Sequence, residues 1–480
     1  MSTQQNAPLP APATPAKPLA PTGALQRTEA VKSAKAAPQP ASHKSHNPNA
    51  KMDLSAGEAS ETIKQLAKLA REDETQAPRE ELAEMAIDAN DAPVVQIVNA
   101  LLIEAIKRRA SDIHIEPYPD TLRVRFRVDG SLLIVHELPP TSHAGIVSRL
   151  KVMGSMNIAE RRVPQDGRIK LATPLAGDGT IDFRVSTLPS IFGEKVVMRI
   201  LGTGQLKDNI DQLGFESEVF HDVKDALGQT FGMILVTGPT GSGKTTTLYT
   251  MLRQLSQPDV NIVTAEDPVE YNLPGITQVS VKPAIDFTFD VALRSFLRQD
   301  PDIILVGEMR DYETAAIAIK ASLTGHLVLS TVHTNDAPST VVRLVDMGIE
   351  PYLVASAVKL VIAQRLIRRI CTKCKEEVQI SAAEQDNLHE STLNVIQKTY
   401  KGKGCDHCNS TGYRGRAPLF EVMPIKSKEL KSVITEGGTE VMVAQVAKRE
   451  GLRTLKMESL RLVNDGVTSL EEAMQIILSE

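Results

Sequence analysis

Met233-Ile234-Leu235-Val236-Thr237-Gly238-Pro239-Thr240-Gly241-Ser242-Gly243-Lys244-Thr245-Thr246 is the stretch that decides the fold. A short apolar run, long enough for a buried strand, leads into the pattern G-x-x-x-x-G-K-[ST], and residues 245–255 continue with helical character. Glycines in such a loop let successive backbone N–H groups converge on phosphate oxygens at a helix N-terminus, where the helix dipole favours negative charge. Gly238, Gly241, Ser242, Gly243, Lys244, Thr245 and Thr246 are therefore the nucleotide-binding candidates, with Lys244 reaching the β- and γ-phosphates and the Thr245 hydroxyl on Mg²⁺. From residue 231 onward short apolar runs alternate with helical stretches, which predicts an α/β fold with a parallel sheet.

Hydrolysis needs a carboxylate to orient or deprotonate water, and a further acid to help hold the metal. Two downstream segments offer them. Ile262-Val263-Thr264-Ala265-Glu266-Asp267-Pro268-Val269-Glu270 is a strand ending in three carboxylates, at the end where open α/β sheets gather ligands. Ile303-Ile304-Leu305-Val306-Gly307-Glu308 looks like a Walker B strand, with Gly307 where the usual pattern has Asp. Glu308 is the first choice for the water-orienting base and Glu270 the second, while Glu266 and Asp267 are the candidates for metal or metal-bound water. His326 and His333 bracket a further apolar strand, and a histidine beside a phosphate is a natural sensor of it.

All four cysteines fall in Cys371-x-x-Cys374 and Cys405-x-x-Cys408, with 30 residues between the pairs. Two knuckles of two thiolates suit tetrahedral Zn²⁺ in a structural role, and Gly402, Gly404, Gly412 and Gly415 suit the tight turns around them.

Upstream, residues 1–50 hold twelve Ala and nine Pro with a single acid, Glu29, a composition that predicts a disordered tail. Residues 51–92 read as a helical linker or docking segment. Pro93 opens a helical repeat of Val94, Ile97, Val98, Leu101 and Ala105. A strand follows in which Leu122, Val124, Phe126 and Val128 alternate with arginines at 123, 125 and 127, and Asp129-Gly130 turns it into a hairpin. Same-face residues recur about every 6.6 Å, so those guanidiniums need anions, acids or solvent opposite them. They suit either a solvated edge face or a contact with a neighbouring subunit or its nucleotide. Further strands to residue 201 predict an α+β domain, with a boundary between residues 202 and 230. A net charge of -5 and 4% aromatics weigh against wrapping or stacking on nucleic acid. No apolar run reaches about 18 residues and no signal peptide is evident, which points to the cytoplasm.

The ordered series of phosphate loop, Glu266-Asp267-Pro268, Gly307-Glu308, paired histidines and tetracysteine resembles the ATPases of type II secretion and type IV pilus assembly. Ser111-Asp112-Ile113-His114-Ile115-Glu116-Pro117 and Leu297-Arg298-Gln299-Asp300-Pro301-Asp302 extend the likeness, which runs from residue 93 to the C-terminus. The resemblance implies a PAS-like domain over residues 93–204 and a RecA-like ATPase domain over 205–480. The latter would include a zinc subdomain at 365–422 and C-terminal helices at 423–480. It also implies ATP and Mg²⁺ as cofactors, a homo-hexameric ring peripheral to the cytoplasmic face of the inner membrane, and a polytopic platform protein as partner. Other assembly proteins of that face are further partners it suggests. Arg168 and Arg184, with Arg123, Arg125 and Arg127 behind them, are the arginines of the smaller domain that such a likeness sends to the nucleotide. The tetracysteine argues for assembly or export over retraction, and the first 92 residues depart from the folded adaptor of many relatives. A nucleic-acid motor and a nucleotide-gated scaffold without turnover are the rival readings.

Overall fold

The computed structural model describes residues 93–172, 180–201, 206–381, 385–386 and 388–478. The expected tail at 1–50 and the helical segment at 51–92 lie outside the described residues.

Helix α1 (Pro93–Lys107) buries Ile97, Val98, Leu101 and Leu102 against a six-stranded antiparallel sheet. Its strands are β1 (Ala110–Pro117), β2 (Leu122–Val128), β3 (Ser131–Leu138), β4 (Gln165–Ala172), β5 (Thr180–Ser190) and β6 (Gly193–Leu201), in the order β3-β2-β1-β6-β5-β4. Helix α2 (Ser142–Met153) adds Ile146 and Leu150 to the same core. The β2–β3 turn has Asp129 and Gly130 both at positive φ, the geometry that matches strand twist in a two-residue hairpin.

The guanidinium stripe is not on an edge. Strand β2 is paired on both sides, and β3 is the outer strand. Acids across the sheet compensate each arginine: Arg125 makes two 2.8 Å bonds to Glu116, Arg123 lies 3.2 Å from Glu137 and Arg127 3.5 Å from Asp112. Alternation along the sequence revealed the charge, but the partners come from strands paired later in the fold.

The second sheet has the order β15-β12-β7-β11-β10-β8-β9. It consists of β7 (Gly232–Thr237), β8 (Ile262–Glu266), β9 (Thr277–Ser280), β10 (Ile303–Val306), β11 (Leu327–Val332), β12 (Val358–Ile370) and β15 (Tyr413–Pro424). All pairings are parallel except that of β15 with β12. A short hairpin, β13 (Lys375–Val378) and β14 (Thr399–Gly402), stands apart. Because β7 is buried on both faces, its continuous apolar run divides between two cores. Ile234 and Val236 pack with helices α3 (Ser217–Leu227) and α4 (Lys244–Leu255). Met233 and Leu235 share a cluster with α5 (Phe289–Phe296), α6 (Tyr312–Leu323), α7 (Ala337–Asp346) and α8 (Pro351–Ala357). Four C-terminal helices, α9 (Lys428–Thr435), α10 (Glu440–Arg449), α11 (Leu455–Asn464) and α12 (Leu470–Ile477), extend that cluster.

Glu421 on β15 joins this layer. It is 2% exposed, and its carboxylate accepts from Ala337 N at 2.7 Å and Leu455 N at 3.2 Å, the first residues of α7 and α11. One anion therefore satisfies orphan donors at two helix N-termini, where the dipoles favour it. Removing it leaves buried N–H groups unpaired, and each bond to a charged acceptor contributes about 1.5–3 kcal/mol. We expect Glu421→Ala to lower stability by about 3 kcal/mol and Glu421→Gln by less, read from denaturant midpoints; an unchanged midpoint for the alanine variant would refute the assignment.

Candidate active site

Strand β7 delivers the chain to Gly238, and the loop turns into α4 at Lys244. Gly238, Gly241 and Gly243 all have positive φ. The first and last also pass close to β12: a Cβ on Gly238 would stand 2.4 Å from the Gln364 carbonyl oxygen, and one on Gly243 2.7 Å from its Nε2. Gln364 is buried, and its Oε1 accepts from Thr247 on the first turn of α4 at 2.8 Å. Lys244 Nζ curls back to donate to Gly238 O at 2.7 Å and Pro239 O at 3.1 Å. Burial pushes its pKa below the ordinary lysine value, Glu308 opposes that shift and Arg365 adds to it. Ser242 is buried within the loop, while Thr245 is exposed at its helical end and Thr246 is half-buried.

The expected carboxylates separate. Glu308 lies just after β10, 2.7 Å from Arg310 and 3.3 Å from His333, and close enough to Lys244 to act on its titration. Gly307 occupies the usual Asp position close beside β8, where a Cβ would meet Ala265 O at 3.2 Å. Asp267 is exposed and Glu270 half-buried beyond the end of β8, with Glu270 3.7 Å from Arg184. Glu266 points elsewhere. It is 4% exposed, and its carboxylate accepts from Tyr249, from Thr264 at 2.5 Å and from Gln278 at 3.1 Å. Side chains of the protein thus fill the acceptor sites that metal or metal-bound water was expected to use.

The histidines part likewise. His333 follows β11 at the phosphate end of the sheet, beside Glu308. His326 precedes β11, its ring 3.0 Å from Ala321 O, and its carbonyl accepts from Gly232 at the start of β7. A six-residue strand at about 3.3 Å per residue separates it from the phosphate loop by about 20 Å. The expectation that His326 senses phosphate is corrected by this placement: parallel strands bring only their C-terminal ends to the loop.

A model of the type II/IV secretion system protein family matches residues 88–475. The chain belongs to that family. The type IV pilus assembly ATPase PilB of Myxococcus xanthus is 51% identical over 403 residues, covering 83% of this chain and 70% of that protein. The type II secretion system ATPase E of Vibrio cholerae is 46% identical over 387 residues, covering 81% and 76%. A crystal structure of the pilus retraction motor PilT with bound ADP superposes with a TM-score of 0.53 at 26% identity, covering 79% of this chain and 96% of that one. Family membership makes this chain an ATP-binding ATPase, with the α/β fold of that family's motors.

Two further groups of expected residues are an arginine row in the first sheet and the four cysteines. Arg168, Arg184, Arg199, Asp112 and Arg127 pair in one register row across β4, β5, β6, β1 and β2. Asp112 holds Arg199 at 3.1 Å and Arg127 at 3.5 Å, whereas Arg184 lies 3.7 Å from Glu270, beyond the end of β8. Arg168 is exposed beside Arg184.

The four cysteine sulfurs lie within 4.8 Å of one another. Separations of 3.9 Å for Cys371–Cys405, 3.8 Å for Cys374–Cys408 and 3.7 Å for Cys405–Cys408 match the edges, about 3.8 Å, of a tetrahedron with Zn–S bonds of about 2.3 Å. Burial pushes the Cys408 thiol up, but N–H groups of Cys405 and Gly412 aimed at its sulfur bring it down to about 7. This donor set fits Zn²⁺. Gly402 and Gly412 press backbone to backbone beside it, and a Cβ on Gly402 would stand 2.0 Å from Gly412 O.

Sequence reasoning missed Gln364, Arg199 and Tyr249. Gln364 had a signal, a lone amide inside the apolar run of β12. Arg199 and Tyr249 had none, since their partners are distant in sequence.

Proposed function

We propose that this ATPase is the motor that powers type IV pilus assembly or type II protein secretion, working as a homo-hexameric ring at the cytoplasmic face of the inner membrane. It acts there on a polytopic platform protein, together with other assembly proteins of that face. Among the described residues no helix is long and apolar enough to cross a membrane, in keeping with peripheral attachment. The observation that carries the reading is the 3.7 Å contact between Arg184 and Glu270. It joins the first domain, residues 93–204, to the acidic rim of the nucleotide site in the second, residues 205–480. A phosphate entering or leaving beside Glu270 changes the charge that Arg184 meets, so turnover is coupled to the relative position of the domains.

In this mechanism the loop N–H groups and Lys244 bind the β- and γ-phosphates; the Thr245 hydroxyl would hold Mg²⁺, which would supply charge neutralisation for the transferring phosphoryl group. Glu308 orients the attacking water, His333 beside it reports on the γ-phosphate, and Glu270 is the second acid of the reaction. Arg184, with Arg168 next to it, stabilises the charge that develops on the phosphate. Cys371, Cys374, Cys405 and Cys408 hold a structural Zn²⁺ that organises residues 365–422, and the helices at 423–480 pack behind it.

Replacing the water-orienting carboxylate by its amide removes the base while preserving shape. ATPase assays on the purified full chain should find turnover in Glu308→Gln lower by at least about 10²-fold, with binding of a non-hydrolysable ATP analogue retained. Glu270→Gln should also lose most turnover. Wild-type rates in Glu308→Gln would sink its assignment as base. Metal analysis of the same preparation should return about one equivalent of Zn²⁺, lost in Cys405→Ser, a result that four coordinating thiolates require. A chain equally folded and metal-free in both forms would contradict the zinc site.

A further inference from the structure

Tyr249 lies within the helix that begins at the phosphate loop, and it is 1% exposed. Its hydroxyl donates to Glu266 Oε2 and accepts from the backbone N–H of Glu270 at 3.3 Å. Gln278 on β9 closes the network. Its Nε2 lies 3.1 Å from Glu266 Oε1, 3.0 Å from Tyr271 O and 3.5 Å from the Tyr249 hydroxyl, and its Oε1 accepts from Leu273 N at 2.6 Å. Thr264 completes the Glu266 carboxylate, and the Tyr271 ring meets that of Tyr249 edge-on at 6.0 Å. Burial, and then the bond to Glu266, raise the Tyr249 pKa above that of an ordinary tyrosine, so the hydroxyl stays protonated and remains a donor.

The consequence is mechanical. One end of α4 carries Lys244, and the same helix, five residues later, holds the backbone of residue 270 through one hydroxyl. Ser280 and Gln278 tie the neighbouring residues 269, 271 and 273 to β9, while the Tyr249 hydroxyl ties residue 270 to α4; a carboxylate misplaced by about 1 Å can cost about 10²-fold in rate.

We propose that Tyr249 is a positioning residue for ATP hydrolysis, coupling the phosphate-loop helix to the Glu266–Glu270 segment so that the Glu270 carboxylate keeps its place relative to the bound phosphates. The proposal rests on the reading of Glu270 as an acid of the reaction. Glu266 serves as the anchor of this network.

The test is steady-state ATPase kinetics on the full chain carrying Tyr249→Phe, Glu270→Gln or both, with analogue binding and thermal melting measured alongside. Tyr249→Phe should lower kcat about tenfold while KM and analogue affinity stay within about twofold, and it should add nothing to the loss in Glu270→Gln, as residues acting through one another do. Unchanged kcat in a folded Tyr249→Phe chain overturns the proposal. Equal losses in both backgrounds also overturn it, because Tyr249 would then act independently of Glu270. Wild-type turnover in Glu270→Gln, by contrast, identifies the Glu270 reading as the failure and removes the proposal with it. Should Tyr249→Phe not fold, Glu266→Gln retains the tyrosine and the size of its partner. That variant should show the same fall in kcat at constant KM, and wild-type kcat in it overturns the proposal.

Discussion

A Cβ at Gly238 would stand 2.4 Å from the Gln364 carbonyl oxygen, and one at Gly243 2.7 Å from the Gln364 amide nitrogen, so the phosphate loop lies against β12 with no room for a side chain. That approach fixes the loop's other features. Both positions also have positive φ, a backbone conformation that residues with a Cβ rarely adopt, and the loop between them leads into α4. Gln364 then locks the first turn of that helix through Thr247. Cys371 follows the last residue of β12, so the strand that the phosphate loop lies against also leads into the cysteine cluster.

Electrostatics build outward from the same place. Lys244 senses Glu308 and Arg365, Glu308 is held by Arg310 and His333, and Glu270 in the segment after β8 faces Arg184 of the first sheet. In the first sheet a row of four arginines is offset by Asp112 alone among the row's own members. Arginines cannot shed their charge, so this row favours any arrangement that brings an acid or a phosphate near its Arg184 end. A contact between Asp129 of the β2–β3 turn and Gly415 N, 2.7 Å, gives the same domain a second foothold beside the cysteines.

Much of this was legible in the sequence where the signal is local. The strand, loop and helix around Lys244 obey backbone rules confined to fourteen residues, and the spacing of the cysteines anticipates the cluster of their sulfurs. Hairpin chemistry at Asp129-Gly130 gave the turn between β2 and β3. What stayed hidden depends on strand order. The arginines of β2 suited a solvated edge or a subunit contact equally, because alternation reports a face, never a neighbour. Glu266, Asp267 and Glu270 share a strand end, and sequence alone did not show that Tyr249 and Gln278 bury the first while the last stays near the rim. His326 and His333 looked paired until the direction of β11 separated them.

The central claim is that nucleotide state sets the position of the first domain relative to the second through Arg184 and Glu270. Distance distributions between spin labels on exposed sites of β3 and α6 would measure this most directly, in the nucleotide-free, ATP-analogue and ADP states of the full chain. The account predicts that the distribution shifts with the analogue and shifts back with ADP, and that Arg184→Ala loses the shift while still binding nucleotide. Identical distributions in all three states would contradict it.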